Sequence, residues 1–307
     1  MATKSMAEVL ENLRNRQSQE GAPAVSEEKV NCSKCHDKGV VIYRVHEDTK
    51  WDEIQHIEGD RVITIHKPQK MVPEDDFFGG KVCGPDKARE WRTTYSIICQ
   101  CTVERKKSRL LKSSEITEEF KKLGFGNFRT EGKASVIAEA KEAALEYYKD
   151  FEEIRGTRFN SIALIGQPGA GKTHLLTAIA NNLIMKKLVN VQYFPYVEGF
   201  NDLKDDFDKL EAKMKHLKDV EVLFIDDLFK PARGKPRATE WQVEQLYAVI
   251  NYRYLNHKPI MISSELDVDQ IIDIDEALGT RIYEMCSNYT VVIKGDRKTL
   301  NHRLEGL

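Results

Sequence analysis

The rhythm of apolar and polar positions changes along this chain. Beyond residue 115, short β-branched runs alternate with amphipathic stretches. The runs predict strands over 162–165, 189–194, 221–225, 259–264 and 289–294. The stretches predict helices over 174–184, 197–217, 240–254, 267–272 and 278–285, the second with Phe200, Leu203, Phe207, Leu210, Met214 and Leu217 on its apolar face. A longer helix over 133–153 comes first, with Val136, Ile137, Ala140, Ala144, Leu145 and Tyr148 on one side. Repeated strand–helix units predict an α/β fold with a mostly parallel sheet, its ligand loops at the carboxyl ends of the strands. The first third reads differently: 39–45, 61–66 and 93–98 are strand-like, and no long helix separates them. A small β-rich domain, 1–115, therefore precedes the α/β domain, 116–307. Met6, Val9, Leu10 and Leu13 form a narrow stripe that predicts a short N-terminal helix, too short to be stable undocked.

Composition narrows the class. In 307 residues the apolar fraction is 41%, enough for a packed core, and the net charge of −2 excludes a global basic field. Nucleic-acid contact must come from local patches. No apolar run approaches the ~20 residues of a membrane helix, and the polar start lacks a signal-peptide core, so a cytoplasmic protein without membrane contact is expected.

Between the first strand and its helix lies Gly166-Gln167-Pro168-Gly169-Ala170-Gly171-Lys172-Thr173, followed by His174. Glycines at these positions let successive backbone N–H groups curl around a polyphosphate, where a side chain would block the approach. Lys172 offers a point charge to the terminal phosphates, and the Thr173 hydroxyl is placed for Mg²⁺. The loop opens a helix, whose N-terminus favours anions. Bound ATP is the expectation. The strand 221–225 runs into Asp226 and Asp227. A carboxylate at that strand end can hold Mg²⁺ through water, and its neighbour can orient or deprotonate an attacking water.

The six cysteines point to metal rather than disulfides. Cys32 and Cys35 form a CxxC knuckle, Cys99 and Cys101 a CxC pair, with strand-like runs between them. Two close pairs can complete a tetrahedral thiolate site for Zn²⁺, and the metal would supply stability that so small a core lacks. Cys83 and His36 are competing ligands. A redox role for the CxxC is the weaker reading, since no βαβ pattern surrounds it. A basic run, 104–112, follows and predicts a linker helix, and 229–239 is a loop rich in lysine, arginine and proline.

With the phosphate loop, Asp226-Asp227, the strand ending Ser263-Ser264 and Arg281 in that order, the chain resembles the AAA+ ATPases. It resembles more closely the DnaC/DnaI-type helicase loaders, in particular phage or prophage versions with a cysteine-rich N-terminal domain. The resemblance implies a P-loop NTPase core without a full C-terminal lid, preceded by a zinc-ribbon-like domain. It implies a first-sensor role for Ser263 or Ser264, of which Ser264 is preferred, and an arginine finger at Arg281. The few residues after Arg281 imply that a lid and its second-sensor arginine are missing, and hence slow or assembly-dependent hydrolysis. The implied partners are a hexameric DnaB-type replicative helicase, single-stranded DNA and further copies of this chain in an ATP-dependent oligomer. Lys204, Lys209 and Lys213, on the helix where initiator ATPases face DNA, are candidate phosphate contacts. An IstB-like ATPase that regulates a transposase is the alternative.

Overall fold

The computed structural model describes residues 32–58, 61–78, 90–91, 93–204 and 206–304. The expected N-terminal helix and Cys83 lie outside them. Two compact units emerge, one built from residues 32–51 and 68–102, the other from 52–67 and 103–304.

In the first unit, β1 (Val40–Val45) is the centre of a three-stranded antiparallel sheet, flanked by β4 (Met71–Pro73) and β5 (Thr93–Ile98). The register opposes Val40 to Ile98 and Tyr43 to Tyr95. Strands β2 (Trp51–Glu58) and β3 (Arg61–Pro68), which fall almost wholly in the other unit, pair with each other in a two-stranded sheet. Sequence reasoning misses β2, because Trp51-Asp-Glu-Ile-Gln alternates without a buried face: all of residues 51–55 are exposed.

The second unit is a doubly covered parallel sheet in the order β10–β6–β9–β8–β7, formed by β6 (Ile162–Gly166), β7 (Val191–Pro195), β8 (Val222–Leu228), β9 (Ile260–Ser264) and β10 (Thr290–Ile293). Alternate residues of each strand feed different cores. Ala163, Ile165, Leu223, Ile225, Ile260 and Ile262 join one cluster, while Ile162, Leu164, Val222, Phe224 and Met261 join the other. Burial on both faces explains why these strands read as continuous apolar runs.

Most helices fall where the pattern puts them, including Ser135–Ile154, Lys172–Lys187 and Glu240–Leu255. The basic linker helix is longer than expected, Gln100–Ser113. The single helix expected over 197–217 is instead two, Tyr196–Asn201 and Phe207–Asp219. Asp206 breaks it, its carboxylate accepting the Lys209 N–H and capping a fresh helix start. The apolar positions disguised the break: Phe200, Leu203 and Leu210 all still reach the same core.

One polar side chain is central to the packing. Arg253, 0% exposed, donates to the carbonyls of Leu217, Lys218, Val220, Glu221 and Pro259. It thereby ties the end of Phe207–Asp219 to the starts of β8 and β9. Burial lowers its pKa to about 9, so the guanidinium stays protonated at neutral pH. Arg253→Met leaves these carbonyls without their donor. It is expected to cost about 3 kcal/mol of unfolding free energy, read by urea titration, and Arg253→Lys should recover little, having no planar fork.

Candidate functional site

The loop after β6 closes around its own lysine. Gly166, with φ +112°, has backbone of Ile293 where a Cβ would sit, so only glycine fits. Gly171, with φ +82°, opens the helix Lys172–Lys187. Inside this curl Lys172 Nζ donates to Gly166 O at 2.7 Å and Gln167 O at 2.8 Å. The ammonium is almost fully buried, and burial lowers its pKa to about 8.

Next along, Thr173 Oγ1 donates to Asp226 Oδ1 at 2.8 Å. Asp226 is buried at the end of β8, where the pairing with β9 slips out of register between Ile225 and Leu228. Such an irregularity lets consecutive residues turn to different sides. Ser263 Oγ also donates to Asp226 Oδ1, and Tyr193 OH donates to Oδ2 at 3.1 Å. Burial raises the Asp226 pKa, and these hydroxyl donors oppose the shift. Asp227, at φ +56°, swings away from its neighbour; its N–H donates to Ser263 Oγ at 2.8 Å and its carboxylate pairs with Lys230. Lys172, Thr173, Asp226, Asp227 and Lys230 all line one cavity of about 600 Å³. A Mg²⁺ fits this donor set, a hydroxyl beside a buried carboxylate, and Thr173 and Asp226 are the residues that would hold it.

The two serines separate here. Ser263 joins the carboxylates, whereas Ser264, preferred from sequence, donates to Leu228 O and accepts from Leu266 N. Successive side chains on a strand point to opposite sides, and the turn after β9 uses up the second hydroxyl. His174 lines the cavity, but its Nε2 is 3.0 Å from both Gly124 O and Asn127 Oδ1 and its ring meets Phe128 edge-on. Arg281 is elsewhere, on the helix Glu276–Cys286. It binds Asn251 Oδ1 and Ala277 O, with its guanidinium 5.4 Å from the ring centres of Tyr247 and Tyr254. Of the lysines considered for DNA, Lys209 pairs with Asp206 and Lys213 with Glu115. Lys204 shares a separate cavity with Arg237.

Two residues were missed from sequence. Tyr193 gives no motif signal, since a tyrosine in an apolar strand reads as core. Arg303 reaches the phosphate cavity because the segment after β10 folds back over the loop: Gly295 N–H donates to Gln167 Oε1, and His302 N–H to Gly169 O. An arginine that the sequence reading did not consider thus lines this cavity. Arg303 sits in the turn His302–Leu304, just after the short helix Arg297–Leu300 that Asp296 caps.

In the first unit, the sulfurs of Cys32, Cys35, Cys99 and Cys101 all lie within 4.8 Å of one another. Cys32 and Cys99 are 3.7 Å apart, Cys35 and Cys101 3.3 Å. Sulfurs on a tetrahedral Zn²⁺ with ~2.3 Å bonds are separated by about 3.8 Å, so the set fits a structural zinc. Backbone amides of Cys35 and Lys34 lower the Cys32 thiol to about 6, while hydrogen bonding with Cys35 pushes Cys101 up to about 12. His36 is not in the cluster; it faces Asp75 at 3.2 Å. Among the described residues, no helix is long and apolar enough to cross a membrane.

Comparison with known proteins agrees with this geometry. Residues 121–286 match the family described as the bacterial DnaA ATPase domain. Over 283 residues the chain is 62% identical to the uncharacterized protein YqaM of Bacillus subtilis (strain 168), covering 92% of this chain and 88% of YqaM. It is also 62% identical over 210 residues to the phage-like element PBSX protein XkdC of the same strain, 68% of this chain and 79% of XkdC. A crystal structure of DnaI, 22% identical, superposes with a TM-score of 0.49 over 60% of this chain and 94% of that one. The segment that carries the phosphate loop and the paired aspartates lies within the matched residues: the chain belongs to the bacterial DnaA ATPase-domain family.

Proposed function

We propose that this protein is an ATP-hydrolysing loader that binds a hexameric DnaB-type replicative helicase and delivers it to single-stranded DNA. The observation that carries the reading is the meeting of Lys172 and Thr173 with the buried Asp226 in one cavity. Membership of the DnaA ATPase-domain family and the identity with a phage-like element protein support it. The four-cysteine unit favours a loader over an IstB-like transposition ATPase, for which a short helical N-terminus is expected.

In this reading Lys172 exchanges the carbonyls of Gly166 and Gln167 for the β- and γ-phosphates of ATP. Mg²⁺, when bound, neutralises phosphate charge as it develops. Asp227 orients the attacking water, and Ser263, hydrogen-bonded to Asp226 and Asp227 together, registers the γ-phosphate side. Arg303 contributes positive charge beside the phosphates, and Arg281 serves the neighbouring subunit's nucleotide in an ATP-dependent oligomer. Zn²⁺ on Cys32, Cys35, Cys99 and Cys101 holds the N-terminal domain, residues 1–115, in the shape that meets the helicase.

Light scattering of this protein mixed with a replicative helicase tests the loader assignment. A defined complex is expected with ATP, and a Cys99→Ser/Cys101→Ser variant should both lose its equivalent of zinc by elemental analysis and form no complex. Failure of the zinc-loaded protein to bind any replicative helicase would sink the loader reading. The nucleotide assignment has its own test. Lys172→Met should bind no ATP, yet the ligand-free variant should melt a few degrees higher, because a costly buried ammonium is gone. The folded-state pKa of about 8 lies below the ordinary 10.5. Between those values the unfolded chain holds the extra proton, so wild type should gain stability with rising pH and the gap to the variant should narrow there.

A further inference from the structure

Asp227 is held by a neighbour that the phosphate-loop chemistry does not require. Lys230 Nζ lies 2.5 Å from Asp227 Oδ2, and the Lys230 N–H donates to Asp227 O at 3.0 Å, so a tight turn brings the pair together. Phe229 between them is fully buried against Tyr196, which anchors the turn in the core. A carboxylate engaged by an ammonium has fewer free lone pairs for a water.

Lys230 is also the first cation of an exposed basic segment. Ala232 and Lys235 bridge back-to-back through their backbones, with Arg233 and Gly234 at positive φ, to form a small tip. Arg233, Lys235 and Arg237 on it are exposed, and none is ion-paired with a carboxylate among the described residues. Arg237 and Lys204 line a further cavity of about 300 Å³ beside the tip. Three exposed cations on one short tip, with no salt-bridge partner among the described residues, suit a phosphodiester backbone, read by charge rather than by base identity. The tip and the clamp are parts of one short stretch of chain, with Phe229 as the fixed point.

We propose that Arg233, Lys235 and Arg237 bind the backbone of single-stranded nucleic acid and that Lys230 reports this binding to the nucleotide site. At rest Lys230 clamps Asp227; a phosphate backbone on the tip draws the segment and its lysine away, and Asp227 is free to orient water. The proposal rests on the reading of Asp227 as the water-orienting carboxylate.

ATP turnover of the full chain, with and without single-stranded oligothymidine, tests it. Lys230→Met should raise turnover without DNA about tenfold, to the DNA-stimulated wild-type level, and DNA should add nothing further. KM for ATP should not change. Arg233→Ala/Lys235→Ala/Arg237→Ala should keep wild-type turnover without DNA, lose the stimulation and bind oligothymidine more weakly. Lower turnover or a raised KM in Lys230→Met would make this lysine a phosphate contact and overturn the clamp, as would stimulation that survives the variant. Asp227→Asn separates the two readings: if it turns over ATP like wild type, the role of Asp227 itself fails, whatever Lys230 does.

Discussion

The carboxylate of Asp226 is the constraint around which the nucleotide unit is arranged. A buried anion must be met by donors, and here they come from separate parts of the fold: Thr173 from the helix after β6, Ser263 from β9 and Tyr193 from β7. Each donor is in reach only if the parallel strands stand in their observed order and register. The polar cluster therefore tests the sheet topology at the point where chemistry is needed. A slip of one residue in β9 that brought Ile262 to the place of Ser263 would leave the anion short of a donor, at a cost of about 1–3 kcal/mol.

Much of this was legible in the chain itself. The glycine spacing of the phosphate loop and the paired aspartates after an apolar run are local signals, and local signals survive without knowledge of the fold. The strands were equally plain, since burial on both faces leaves uninterrupted Ile, Val and Leu. What escaped detection depends on contacts distant in sequence. Tyr193 looks like any strand aromatic until Asp226 lies beside it. Arg303 lies in a polar stretch whose importance appears only when Gly295 and His302 are seen bonded to the phosphate loop. The break at Asp206 was hidden because a new helix began in phase with the old apolar face. For the serines, strand alternation settles the geometry, but which of the two faces Asp226 depends on register.

The two units are stabilised by different means. The larger one has apolar clusters on both faces of its sheet and can spend burial on a charged group such as Arg253. The smaller has a sheet with Val40, Ile42 and Ile98 exposed, and among its described residues the buried apolar ones are Cys35, Val45 and Cys99. Its cysteines converge from both ends of the unit's sequence, so a metal there would close the longest loop that this unit contains. A ligand bond across such a span restrains the unfolded chain in the way a cross-link does.

The return of the final segment over the phosphate loop has a consequence for how the protein is made. Residues 296–304 hold the loop from outside through His302 and Asn301, and they are the last of the described residues to leave a ribosome. The sheet's earlier strands and the loop itself are synthesised long before. A nascent chain therefore carries the glycine-rich loop without its outer wall until residues 296–304 have emerged. Closure of the phosphate cavity thus waits for a segment made long after the loop that it covers.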